Sequence, residues 1–185
     1  MYLTIFVPSK TSGMNSLQKE LIIKSVISSP IIAAFELSPL FFMSSQTVMA
    51  FWRTILYQVF QVKPCFIFDD KGMYCNNSMW FIPSDDRVLL GILNSKIGWW
   101  LISKYCTAIQ NGFQLIWKYF SQIPIAKGNE GIRERIETTV NTVRKTKFQY
   151  PTADTTALES QIDQLVYVLY DLKEEEIEII ENSVK

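Results

Sequence analysis

Gln110, Asn111 and Gln114 cluster around Gly112, with Lys104 and Lys118 on either side. A carboxamide offers a donor and an acceptor side by side, the pattern that pairs with the edge of an adenine. Glycine lets a backbone come close to a ligand, and the two ammonium groups suit phosphates. These residue types point to nucleic-acid contact, although an ordinary polar turn between two packed elements uses the same ones. Asn76 and Asn77, after Tyr74, either reach a duplex from a hairpin or occupy a turn where asparagine tolerates left-handed φ. Lys96 closes the trio Asn94-Ser95-Lys96, which either touches a nucleic-acid backbone or orders the following loop through internal hydrogen bonds. Trp80, Trp99, Trp100 and Trp117 have rings that can stack on an extruded base, but their apolar neighbours favour the core.

Catalytic chemistry is harder to assemble. The chain has no histidine, which removes the commonest general base and any Ser-His or Cys-His pair. Cys65, Cys75 and Cys106 are widely spaced, so no zinc site is expected. They read as reduced structural thiols of a cytoplasmic protein. Asp69-Asp70-Lys71 sets carboxylates beside a lysine, but consecutive residues on a turn lack the separated geometry that holds magnesium. The sequence therefore predicts no catalytic residue and no metal ligand.

Lysine and arginine number 18, as do aspartate and glutamate. The zero net charge argues against a strongly basic, free-standing DNA binder. A nucleic-acid role then needs local basic patches or a partner domain carrying most phosphate contacts. Nearly half the residues are apolar, enough to bury a core. Ser25 to Trp52 is rather apolar, yet Pro30, Glu36 and Pro39 interrupt it, so no membrane span is expected.

The elements that must position these residues follow from the pattern. Residues 1–54 show no convincing period and stay unassigned, a stretch that reads as poorly ordered or aberrant. Ile55 to Phe60, Pro64 to Phe68 and Ser78 to Ile82 are aromatic and β-branched and predict strands of a small antiparallel sheet, with a turn at Asp69 to Gly72. Asp85 and Asp86 open a helix carrying Leu89, Leu90, Leu93, Ile97, Trp100 and Leu101, continuous through Asn94-Ser95-Lys96. Gly91 and Gly98 in it suggest close packing. Glu130 to Lys147 is amphipathic, with Ile132, Ile136, Val140 and Val143 on one side and a basic face on the other. Thr156-x-x-Glu159 is a capping box for a second helix, and the Pro-containing connection predicts an antiparallel hairpin. Asp171-x-x-Glu174 starts a last helix whose acidic face reads as solvated.

Three stretches, in order, resemble one family. They are Lys63-Pro64-Cys65-Phe66-Ile67-Phe68-Asp69 running on through Tyr74, Asn76, Asn77 and Phe81-Ile82-Pro83; Leu89 to Lys96 (LLGILNSK) followed by the glycine loop and Gln122-Ile123-Pro124-Ile125; and Ile162 to Tyr167 (IDQLVY) followed by Tyr170-Asp171-Leu172 and Glu174 to Ile177. Together they resemble the TaqI-like C-terminal specificity domain of adenine-specific DNA methyltransferases and type IIG restriction-modification enzymes, over residues 55–181. Relatives often carry an Arg-Gly-Gly type of loop where this chain has Gln110-Asn111-Gly112, so an arginine contact is missing.

The resemblance implies an α+β target-recognition domain that binds double-stranded DNA for a restriction-modification system. Residues 55–127 would form the specificity core, and 128–185 a helical hairpin with an acidic tail that docks on a methyltransferase or restriction domain or subunit. S-adenosylmethionine would bind that other part. This chain lacks the glycine-rich cofactor loop and the Asn/Asp-Pro-Pro-Tyr/Phe motif needed to hold a flipped adenine. Two other readings stay open: a helical protein-interaction module, and a non-functional remnant of a truncated methyltransferase gene.

Overall fold

The protein is described by a computed structural model at residues 29–30, 53–71 and 78–183. Alternating apolar residues build the first sheet. Strands β2 (Thr54–Gln58), β4 (Phe66–Asp69) and β5 (Met79–Ile82) pair antiparallel in the order β4-β2-β5. The register sets Tyr57 opposite Phe66 and Trp80, and Ile55 opposite Phe68 and Ile82. That period of two places these side chains on the face turned to the helices. There Tyr57, Phe66 and Phe120 bring their ring centroids within 5.0–5.8 Å of one another. A second antiparallel sheet has the order β3-β7-β6, from β3 (Phe60–Gln61), β6 (Thr107–Ile109) and β7 (Gly112–Gln114). A last pairing joins β1 (Ser29–Pro30) to β8 (Pro124–Ile125).

The helix that the sequence runs through Asn94-Ser95-Lys96 is in fact two, α1 (Arg87–Asn94) and α2 (Lys96–Tyr105). Ser95 lies in extended backbone between them, at φ −77° and ψ 166°. Its hydroxyl donates to the Ile92 carbonyl at 2.7 Å and accepts from the Gly98 N–H at 3.2 Å. One serine thus closes α1 and caps α2. Gly98 is needed at this corner: a Cβ would lie 2.1 Å from the Ile92 carbonyl oxygen. The apolar pattern hides the break because both helices bury residues in the same core. At the other end of α1, the Asp86 carboxylate accepts from the N–H groups of Val88 and Leu89, as expected of an N-cap.

After the short helix α3 (Trp117–Phe120) and β8, helices α4 (Glu130–Gln149) and α5 (Thr156–Leu169) form the antiparallel hairpin, and α6 (Glu174–Ser183) follows. The α5 cap sits one residue earlier than the sequence suggests: Thr155 bonds the Glu159 carboxylate at 2.6 Å, while Thr156 bonds Asp154. The hairpin expected to dock on a partner buries its apolar stripe on α1. A Cβ at Gly91 would meet Val140 at 2.9 Å and Ile136 at 3.0 Å, so glycine sets the separation of the two helices. Ile136, Val140 and Ile162 belong to the same buried cluster as Ile55, Leu93 and Leu101. Burial of such a side chain contributes roughly 1.5–3 kcal/mol, which ties residues 128–183 to the core.

The acidic face of α6 is not simply solvated. Glu176 is buried and accepts the Lys173 N–H, and Glu181 accepts from Lys96 and from the Tyr167 hydroxyl. Among the described residues no helix is long and apolar enough to cross a membrane.

Candidate nucleic-acid interface

Helix α2 ends at Cys106, whose N–H bonds the Ile102 carbonyl, and the chain enters β6 at the next residue. Ile109 pairs with Gly112, so Gln110 and Asn111 are the two central residues of a tight β-hairpin. Where the sequence suggests a polar loop, there is therefore a short ladder with a two-residue turn. Gln110 has φ 49° and Asn111 does not share the positive sign, the φ pattern of a type II′ turn. Holding a side-chain-bearing residue in that region costs about 1–2 kcal/mol. Both residues are exposed.

The hairpin is fastened from below. A Cβ at Gly112 would lie 2.2 Å from the Gln61 carbonyl oxygen and 3.1 Å from Val62 Cα. The close approach that this glycine permits is therefore to strand β3 of its own sheet. Leu115 extends the contact, its N–H donating to the Val59 carbonyl at 2.7 Å. Phe113 packs edge-on against Trp99, with centroids 5.1 Å apart. Gln61, opposite Phe113, is buried, and its carboxamide bonds the carbonyls of Gln58 and Cys65 and the Cys65 N–H. On the other pleat Gln114 lies between Phe60 and Thr107. Gln114 is half-buried, and Phe60 is 41% exposed.

Four of the sequence candidates, Gln110, Asn111, Gly112 and Gln114, thus share one hairpin. Lys104 stands in the last turn of α2, just before β6. It is half-buried with its ammonium 5.3 Å from the Trp100 ring centre, and burial lowers its pKa. Lys118 is exposed on α3, its ammonium 5.6 Å from the Tyr119 ring. Lys96 does not join them. It starts α2, about 12 Å along the axis from Lys104 at 1.5 Å per residue. Its N–H donates to Asp163 at 2.8 Å and its ammonium is 2.5 Å from Glu181. Asn76 and Asn77 lie outside the described residues, as do Gly72, Tyr74 and Cys75 and all of residues 1–54 except 29–30 and 53–54.

Asn94 works inside the chain, and it orders β4 rather than the loop. It accepts the Phe66 N–H at 3.0 Å and donates to the carbonyls of Phe66 and Leu90 at 2.9 and 3.1 Å. Asp163 is a site residue that sequence reasoning missed, since its spacing fits an ordinary exposed helix position. Burial raises the pKa of its carboxyl, and the bond and charge of Lys96 oppose that. The basic face of α4 is partly engaged: Arg133 pairs with Asp86 at 2.9 Å and Arg144 with Asp70 at 3.3 Å. Asp69 accepts the Lys71 N–H, so the two adjacent carboxylates serve different partners. Among the described residues no three Cys, Asp or Glu side chains converge on a possible metal position. Trp100 is buried, while Trp80, Trp99 and Trp117 are half-buried against the core.

No known family model matches the chain, and no curated protein does. The likeness to TaqI-like specificity domains rests on the three quoted stretches.

Proposed function

We propose that this chain is the target-recognition part of an adenine-N6 DNA methyltransferase or type IIG restriction-modification system, binding duplex DNA without performing the chemistry. The observation that carries the reading is the Gln110-Asn111 turn: two exposed carboxamides on a hairpin clamped through Gly112 and Phe113. A rigid support holds paired donors and acceptors at a fixed angle to a base edge, and such bidentate contacts discriminate adenine. Lys104 and Lys118, on the elements before and after the hairpin, are placed in sequence to meet phosphates, which position a protein without specifying sequence. Gln114 and the exposed Phe60 extend the same surface.

S-adenosylmethionine belongs to another domain or subunit in this reading. Every strand pairing among the described residues is antiparallel, so they offer no parallel Rossmann-like sheet to cradle that cofactor. The system's DNA substrate places the chain in the cytoplasm.

The test is duplex binding across a salt series, with wild type and a Gln110→Ala, Asn111→Ala, Gln114→Ala triple variant. Binding should fall with salt as counterions are released, and the variant should lose sequence preference while keeping a salt slope. A folded protein that ignores DNA at low salt, both alone and with its catalytic partner, would sink the proposal. The second reading, a protein-interaction module, draws on a groove along β4.

A further inference from the structure

We infer that the groove beside β4 takes an extended, acidic peptide of a protein partner, which joins the first sheet as a fourth strand. β4 is the outer strand of the order β4-β2-β5. The N–H and carbonyl of Phe66 point away from β2, since both are bonded by the Asn94 carboxamide. In an antiparallel ladder the direction repeats every second residue, so the N–H and carbonyl of Phe68 face outward too. Among the described residues neither has a partner off the edge. Asn94 therefore imitates one rung of a neighbouring strand, and the next rung is free. Unpaired edges of this kind are what strand addition uses.

The space beside the edge is built for a main chain. A groove of about 1040 Å³ runs along residues 64–71, with Leu90 and Gly91 of α1 as its floor and Val140 and Val143 of α4 as its far wall. Alternate side chains of an added strand would meet this apolar surface, and the others would point to solvent. A duplex, with charged phosphates on its whole outer surface, has no use for a narrow apolar floor.

The rim chooses the charge. Lys71, Lys145 and Lys147 are exposed at one end, and none of them is in an ion pair among the described residues. Lys147 donates to the Ala153 carbonyl and Lys71 lies over the Phe148 ring, and both keep their positive charge. Of the nearby carboxylates, Asp70 is paired with Arg144, and Asp69 is buried and accepts the Lys71 N–H. At the other end Asp163 and Glu159 accept from neutral donors, the Lys96 N–H and the Thr155 hydroxyl, and keep their negative charge. Three ammonium groups against the one paired carboxylate of Asp70 and the carboxylate of Asp69 leave the residue 71 and 145–147 end of the groove positive, so the strand that complements that end is acidic. The inference is independent of the hairpin, which belongs to the other sheet.

Fluorescence anisotropy with the full chain and labelled octapeptides tests it. An alternating valine–glutamate peptide should bind, and its lysine counterpart should not. N-methylation at every second amide, made in both registers, should weaken binding roughly 10- to 30-fold in one register through loss of backbone hydrogen bonds. The exposed pair Lys145→Glu and Lys147→Glu, with an unchanged circular-dichroism spectrum, should weaken the glutamate peptide by about tenfold or more. Equal binding of the lysine peptide, indifference to N-methylation in both registers, or absence of binding by folded protein would each overturn the inference. So would displacement of the peptide by a short DNA duplex, which would assign the groove to nucleic acid.

Discussion

Replacing Asn94 by aspartate changes one heavy atom and removes the donor of two hydrogen bonds. In the wild type, Oδ1 accepts the Phe66 N–H and Nδ2 donates to the carbonyls of Phe66 and Leu90. A carboxylate keeps the first bond and sets an anionic oxygen about 3 Å from two carbonyl oxygens. Each lost hydrogen bond costs about 1 kcal/mol, and an unsatisfied buried group costs 1–3 kcal/mol. Phe66 is 4% exposed but Asn94 is exposed on the groove, so water offsets part of the loss. Asn94→Asp should therefore lose about 1–2 kcal/mol at pH 7, and Asn94→Ala a similar amount. Acid separates the two. The protonated carboxyl can donate to the Phe66 carbonyl, so the fold raises its pKa above the unfolded value of about 3.9. A raised pKa means stability that is complete below the unfolded value and lost as pH climbs through the folded one. Urea denaturation from pH 3.5 to 7 should show the aspartate variant recovering in acid and the alanine variant tracking wild type at a constant deficit. An aspartate variant as stable as wild type at pH 7 would mean that the amide does not clamp this strand.

Gly112→Ala should cost more than 3 kcal/mol or release β3 altogether, because its Cβ would meet the Gln61 backbone at 2.2 Å; overpacking against side chains typically costs only 1–3 kcal/mol. Differential scanning calorimetry will read this, and a change below 1 kcal/mol would contradict the stated contact. Gln110→Gly should keep or raise stability by up to about 1 kcal/mol, since glycine is at ease at φ 49°, while Gln110→Val should lower it. If valine were tolerated, the positive φ would not be a constraint on the turn. Asp163→Asn keeps an acceptor for the Lys96 N–H and removes a carboxyl whose pKa burial raises. Wild type should lose stability relative to this variant as pH rises above about 4. Thermal melts at pH 3.5 and 7 check the sign, and a difference that shrinks with pH would reverse the argument.

The strands at residues 54–58, 66–69 and 79–82 were legible because aromatic and β-branched runs leave little alternative, and the hairpin of α4 and α5 because its stripe holds a period over many turns. The corner at Ser95 was not, since burial on the same core preserves the apolar rhythm across a change of direction. The hairpin at Gln110 was visible as polar punctuation but not as a ladder: its strands are three residues each, too short to alternate. The roles of Asn94, Asp163 and Glu181 depend on partners 28, 67 and 85 residues distant, and no local pattern reports such pairs. Lys104, Lys118 and the carboxamides were found by residue type. Lys96 was drawn into the same group by residue type, though its partners are internal.

The junction at Lys96 also sets an order of events during synthesis. The amide that begins α2 waits for Asp163, and the ammonium beside it waits for Glu181. A chain emerging from the ribosome has made the whole of both sheets before either carboxylate exists, and domains complete themselves only when such distant segments arrive. The middle of this fold is therefore finished from its far end. A nascent chain halted before α6 leaves the Lys96 ammonium, 43% exposed, beside Asp163 and without Glu181, so the last turn of the last helix adds the closing contact to the first-made core.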